Sequence, residues 1–225
     1  MVLSGISVCV FDAYGTLFDL DKIASVGRAA LGDRVTALSD LWRRKQLEYS
    51  WLRSLMGRHA DFWQVTGESL DYALSSLGIA DPGLRAHLME AYLAPSAFPD
   101  ALPALRKLRA AELKLAILSN GSPTMLTSAV KGADMNDVLD KTLSVEPVGI
   151  FKPHPSVYRL ATEAFDCQPN QVAFISSNGW DVAGAAAFGF QTVWVNRRKA
   201  PREVLPAAPH IEIASLEALP GLLQQ

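Results

Sequence analysis

Ten consecutive residues, Val8-Cys9-Val10-Phe11-Asp12-Ala13-Tyr14-Gly15-Thr16-Leu17, limit what this chain can become more than any other stretch. The apolar run from Ile6 to Phe11 shows no polar alternation, so it reads as a buried strand of a parallel sheet. It ends abruptly in a carboxylate. Gly15 then allows a sharp turn at the strand's carboxyl end, the edge at which open α/β sheets bind ligands. Asp12 is therefore expected at the mouth of a pocket, beside exposed backbone N–H groups. The simpler alternative is an Asp that only opens a turn.

A single strand needs partners, and the chain has room for them. It holds 225 residues, 49% hydrophobic and 20% charged, enough for a substantial core and a second small domain. A net charge of −2 gives no basic stripe, which argues against nucleic acid or an anionic membrane surface as partner. Cys9 and Cys167 read as reduced thiols, which favours the cytoplasm. Met1 to Phe11 lacks the charged start and cleavage site of a signal peptide, and no apolar stretch is long enough to span a bilayer. His59, His87, His154 and His210 are scattered, without zinc spacing.

After Leu20 the pattern changes. Leu38, Leu41, Trp42, Lys45, Tyr49, Leu52, Leu55 and Met56 follow helical spacing, as do Leu70, Ala73, Leu74 and Leu77 before the helix stop at Gly78. Leu84, Leu88, Met89 and Tyr92 make a further helix. Residues 17–94 are thus expected to form a helical cap inserted after the first strand, and residues 1–16 and 95–225 the core domain. From Pro99 onward strands and helices alternate as in βαβ units, with Asp100 placed to cap the first of these helices.

Three expected strands end in polar groups: Asp12, then Ser119-Asn120-Gly121, then Ser176-Ser177-Asn178-Gly179-Trp180-Asp181, with Lys152 between the last two. Parallel strands bring their carboxyl ends to one edge, so these groups should converge. Taken singly, a Ser or Asn after a strand caps the next helix. Arg43, with Leu47 four residues on and Trp51 beyond, occupies a second face of its helix. It is either a solvated Arg with its stem over apolar neighbours or a cation aimed from the cap at an anion.

Asp12-x-Tyr14-Gly15-Thr16, Ser119-Asn120-Gly121, Lys152-Pro153 and Ser176-Ser177-Asn178-x-Trp180-Asp181 resemble the haloacid dehalogenase superfamily in order and spacing. Leu41-Trp42-Arg43, Lys45 to Tyr49, Ala116 to Ser122 and Val193 to Arg197 are most similar to its L-2-haloacid dehalogenases. The resemblance implies an α/β fold: a Rossmann-like three-layer core with a parallel sheet, plus a four-helix-type cap. Phosphatases of that superfamily carry a second Asp two residues after the nucleophile; here Tyr14 stands there, and the loop after the last catalytic strand keeps few acidic groups for Mg²⁺. The competing readings are a small-molecule phosphatase and a non-catalytic binding protein on the same fold.

Roles follow from the resemblance. Asp12 is the nucleophile toward a small halogenated carboxylic acid, without cofactor or metal. Thr16 and Lys152 orient it. Ser119 and the amides of Ala13 and Tyr14 hold the substrate carboxylate, while Arg43 and Asn120 stabilise the departing halide. Tyr158 fixes Lys152, Ser176 and Asn178 position Asp12 and Asp181, and Asp181 activates water. Tyr14, Leu47, Phe62 and Trp180 form an apolar wall, although Leu47 and Phe62 also suit ordinary cap core. Lys152 could instead be a surface lysine before a turn. A homodimer is expected, because the apolar residues of the helix around 39–57 cover more than one face.

Overall fold

In the computed structural model, which describes residues 2–224, the run around Cys9 forms the centre of the molecule. Strand β1 is Leu3–Ser4 and β2 is Val8–Phe11. Every residue of β2 is buried, so both faces of the strand are covered. Helices α1 (Leu20–Ser25), α2 (Arg28–Leu31), α3 (Val35–Met56), α4 (Phe62–Ser76) and α5 (Pro82–Leu93) follow. The chain then alternates through α6 (Ala101–Ala110), β3 (Lys114–Ser119), α7 (Pro123–Gly132), β4 (Lys141–Ser144), α8 (Pro155–Phe165), β5 (Val172–Ser176), α9 (Gly179–Phe188) and β6 (Gln191–Val195). It closes with β7 (Ile211–Ile213) and β8 (Leu223–Gln224), the latter paired with β1.

Six parallel strands lie in the order β4-β3-β2-β5-β6-β7. The chain therefore runs outward from β2 in one direction, then returns and runs outward in the other. That reversal is the switch point at which α/β sheets open a crevice for ligands. Register decides what lines it. Phe11 pairs with both Ile117 and Ile175, so Asp12, Ser119 and Ser176 reach the same edge within one residue of each other. The two crossings between the strand layer and α1–α5 are tied together: Phe18 bridges Ala97, Asp19 N–H donates to Ser96 O at 2.8 Å, and Phe98 N–H to Leu17 O at 2.8 Å.

Helix α3 departs from the apolar periodicity. Its buried residues are Val35, Leu38, Trp42, Gln46 and Ser50, whereas Leu52, Leu55 and Met56 are exposed. The buried stripe is rotated by about a quarter turn from the one that hydrophobicity traces. Gln46 tolerates burial because its amide donates to Thr66 Oγ1 at 2.7 Å and shares a bond with the Tyr92 hydroxyl. Asp100 departs too. It occupies the N-cap position of α6 but makes no cap bond. Its carboxylate accepts a two-point contact from Arg197 at 2.6 and 2.9 Å, and further bonds from Ser215 and the Leu216 N–H. Burial alone would raise this carboxyl; Arg197 and the other donors outweigh it and hold it below the usual range. A fixed guanidinium fork offers a buried carboxylate more than one frayed amide can. Among the described residues no helix is long and apolar enough to cross a membrane.

Candidate active site

Asp12 leaves β2 at the switch point and is only 7% exposed. Gly15, at φ +88°, turns the chain back behind it, and a Cβ there would stand 3.1 Å from Ser177 Oγ. The two oxygens of Asp12 are treated unequally. Oδ2 faces Thr16 Oγ1 at 3.1 Å, Ser176 Oγ at 3.3 Å and Asn178 Nδ2 at 2.8 Å. Among the described residues Oδ1 faces a single donor, Lys152 Nζ, at 3.3 Å. Asn178 shows why a polar strand ending can be more than a cap: it stands at the N-cap of α9 without a cap bond and spends its amide on Asp12.

Lys152 is 1% exposed, so it is no surface lysine. Its ammonium bridges Asp12 and Asp181, with Asp181 Oδ2 at 2.9 Å. Burial pulls the lysine's pKa down, but the two carboxylates more than reverse that, and it stays charged. Asp181 is fully buried. Burial, with Asp12 adding to it, pushes its carboxyl up to about 6 against the opposing pull of Lys152 and Tyr158. At neutral pH the group is an ionised carboxylate with a proton affinity close to the working range, the condition for a general base.

Tyr158 does not hold Lys152, contrary to the sequence expectation. Its hydroxyl donates to Asp181 Oδ1 at 2.8 Å and Asp181 O at 3.2 Å. Gly184 makes this possible: a Cβ there would lie 2.5 Å from the Tyr158 hydroxyl. Of the two acids, Ser176 and Asn178 bond to Asp12 and not to Asp181 among the described contacts, Asn178 also accepting from Arg43 and donating to Tyr14 O, which leaves Lys152 and Tyr158 to orient Asp181. Ser119 Oγ accepts from the Gly121 N–H at 3.1 Å, and Asn120 Oδ1 accepts from the Lys152 N–H at 3.0 Å. Among the described residues the Ala13 and Tyr14 amides meet no acceptor.

Arg43 comes from α3 to the same place. Its guanidinium donates to Gln46 Oε1 at 2.7 Å and to Asn178 Oδ1 at 3.4 Å, and no carboxylate lies within ion-pair distance of it among the described residues. It lines a cavity of about 320 Å³ together with Gly15, Ser177 and Asn178, whose wall also carries Asp19, Asp21, Asp40, Arg197 and Arg198. A half-buried guanidinium without an acidic partner is a ready site for an incoming anion.

The aromatic side chains are distributed rather than gathered into one wall. Tyr14 lies against Tyr92 and Phe18, Phe62 against Phe151, and Trp180 edge-on to Trp51, with no ring contact joining Tyr14, Phe62 and Trp180 to each other among the described residues. Leu47 lies one helical turn beyond Arg43, half-buried. Sequence reasoning missed Gln46 as the residue steering Arg43, and Ser177, whose N–H donates to Thr16 Oγ1 at 2.8 Å. The available signal was a polar residue three positions after Arg43 and a second Ser in the strand ending.

A family model described as haloacid dehalogenase-like hydrolase matches residues 6–189, and the chain belongs to that family. It is 47% identical over 219 residues to (S)-2-haloacid dehalogenase 1 of Pseudomonas sp. (strain CBS-3), covering 97% of this chain and 96% of that protein. It is 44% identical over 223 residues to (S)-2-haloacid dehalogenase 4A of Burkholderia cepacia, covering 99% and 96%. Among solved structures it superposes with a TM-score of 0.89 on the L-2-haloacid dehalogenase from Xanthobacter autotrophicus with chloropropionic acid covalently bound. That match has 41% identity and covers 96% of this chain and 98% of the other.

Proposed function

We propose that this protein is an (S)-2-haloacid dehalogenase that converts (S)-2-haloalkanoic acids to (R)-2-hydroxyalkanoic acids and halide through an ester on Asp12. The observation that carries this reading is the unequal solvation of the Asp12 carboxylate. Among the described residues three donors anchor Oδ2, and Oδ1 is left with Lys152 alone, a buried carboxylate oxygen free to attack in line. In the first step Oδ1 bonds to the substrate's alpha carbon and the halide departs with the electron pair of the carbon–halogen bond. Arg43, and the Asn120 amide that Lys152 leaves free, face the charge that develops on the halide. Ser119 and the Ala13 and Tyr14 amides receive the substrate carboxylate.

In the second step water attacks the Asp12 carbonyl carbon while Asp181 takes its proton. The bond from that carbon to the ester oxygen breaks, and the hydroxy acid leaves with a proton. Attack at the carbonyl leaves the inverted alpha carbon untouched, so the net outcome is inversion. The superfamily's phosphatase chemistry is less well served, because Tyr14 stands two residues after Asp12. No cofactor enters this scheme.

The same reading takes residues 1–16 and 95–225 as the core domain, residues 17–94 as the cap, and the cytoplasm as the compartment. It also takes the molecule as a homodimer, joined where Leu52, Leu55, Met56 and Tyr72 stand exposed on α3 and α4. The deciding experiment is a single turnover of (S)-2-chloropropionate in heavy-oxygen water with EDTA, enzyme in excess. Chloride should be released, the lactate should be unlabelled and the label should sit in Asp12. Labelled lactate in that first turnover would make Asp12 a base rather than a nucleophile, and absence of chloride release would end the dehalogenase reading.

A further inference from the structure

One face of α3 is turned toward the catalytic groups, and Trp51 is its least explained member. Arg43, Leu47, Trp51 and Ser54 follow one another at spacings of three and four residues and so share that face. Arg43 reaches Asn178 at 3.4 Å. Ser54 Oγ accepts from the Phe151 N–H at 3.1 Å. Trp51 Nε1 donates to the backbone carbonyl of Lys152 at 3.1 Å, and its ring meets Trp180 edge-on, with centroids 5.4 Å apart and planes at 82°. The peptide groups of Lys152 are therefore held from two sides. Asn120 takes its N–H from below, and Trp51 takes its carbonyl from α3. Trp51 thus grips the residue that supplies the ammonium and touches the residue next to Asp181 in sequence.

We infer that Trp51 is a positioning residue: its indole N–H fixes the Lys152 backbone and so sets how the Lys152 ammonium divides between Asp12 and Asp181. This rests on the two-step reading given above. The ammonium lies closer to Asp181, at 2.9 Å, than to Asp12, at 3.3 Å. The groups facing Asp181 are Lys152, Asp12 and Tyr158, and only Lys152 among them is cationic. If the freed carbonyl lets the ammonium retreat by about 1 Å, the attraction lost at an effective dielectric of about 20 corresponds to about one pKa unit. Asp181 then holds its proton to a higher pH and serves less well as the base for ester hydrolysis. Formation of the ester, which does not use Asp181, is spared.

The test compares wild type with Trp51→Phe, which keeps a ring against Trp180 but has no N–H. A carbon-13 carboxyl NMR titration of the resting enzyme, with the Asp181 signal assigned by its loss in Asp181→Asn, should show the Asp181 midpoint about one unit higher in Trp51→Phe. Rapid-quench mass spectrometry of the Asp12 peptide with (S)-2-chloropropionate should show ester hydrolysis slowed about twofold at pH 7 and about fivefold at pH 6, where a one-unit shift takes the ionised fraction of Asp181 from about a half to about a tenth, with ester formation changed less than about twofold at either pH. Ser54→Ala, which cuts the neighbouring bond to Phe151 but leaves the Lys152 carbonyl bonded, should leave the midpoint in place. An unmoved midpoint in Trp51→Phe overturns the inference even if activity falls, since loss of packing alone predicts that result. An equal shift in Ser54→Ala overturns it as well. If Trp51→Phe fails to fold, benzothienylalanine placed at position 51 keeps the bicyclic shape without the donor and decides by the same titration. Wild-type protein that releases no halide refutes the dehalogenase reading, and the titration still decides the role of Trp51.

Discussion

Replacing Asp181 by Asn should stop the reaction halfway. The side chain is fully buried, with Lys152 at 2.9 Å on one oxygen and Tyr158 at 2.8 Å on the other. Asn has nearly the same shape. Its oxygen can face the ammonium and its NH₂ the tyrosine hydroxyl, which turns to accept, so every polar group keeps a partner. Losing the charge-assisted bond costs about 1.5–3 kcal/mol, and relieving the desolvation of one carboxylate returns a similar amount. The variant should therefore fold. Its chemistry should split. Loss of a general base slows hydrolysis by about 10²–10⁴-fold. Ester formation should lose far less, through the stronger hold of Lys152 on Asp12. Mixing the variant with (S)-2-chloropropionate should release about one equivalent of chloride per enzyme and leave a carboxyethyl group on the Asp12 peptide, seen by mass spectrometry. The pH dependence of stability gives a second check. Between the ordinary value of 3.8 and about 6 the native wild type holds more protons on Asp181 than the unfolded chain does. This group's contribution is thus present at low pH and is lost as pH rises through about 6. The variant should lack that decline. An unmodified Asp12 peptide with continued steady chloride release would refute the covalent scheme and the role of Asp181 together.

Lys152→Met should be the most damaging single change in the site. It leaves the Asp12 and Asp181 carboxylates buried without their shared cation, at a cost of about 3–5 kcal/mol at neutral pH, read by urea unfolding. Because the pKa of Lys152 is raised, its contribution is present below 10.5 and lost as pH rises through the folded value, so the gap between wild type and variant should close only in strong alkali. Leu55→Glu, at a side chain 84% exposed in the isolated chain, should leave folding intact and convert a dimer to a monomer by light scattering at micromolar concentration; a variant that keeps the dimer mass would place the interface elsewhere.

The parts of this molecule that could be read from the sequence are those fixed by the backbone. A run with no polar alternation has to be a strand buried on both faces, and parallel strands have to end at one edge, so Asp12, Ser119 and Ser176 come together whatever their side chains do. Side-chain pairing across long separations has no such periodicity. Gln46 in the buried stripe of α3 is satisfied by Thr66 and Tyr92, 20 and 46 residues away. Asp100 leaves a local cap for Arg197, 97 residues away. Hydrophobicity at helical spacing therefore misplaced the buried face of α3, and a local capping rule misassigned Asp100. The same limit explains Tyr158: its partner depends on how closely α8 approaches α9 at Gly184, a distance that only the packed structure fixes.

Under the two-step scheme proposed for this site, that approach matters for the order of the chemical steps. In the resting site one ammonium serves two carboxylates, and the negative charge on Asp12 helps to raise the carboxyl of Asp181. Alkylation of Asp12 removes that charge. Lys152 then faces Asp181 alone, and the proton affinity of Asp181 falls, so a larger share of the base is ionised once an ester exists for it to hydrolyse. Before alkylation, Lys152 and the donors on Oδ2 hold the Asp12 carboxylate in place. In that scheme the first step favours the protonation state that the second step needs. Tyr158 keeps Asp181 in place through this change because its hydroxyl, protonated by virtue of burial and of the adjacent carboxylate, donates in both states.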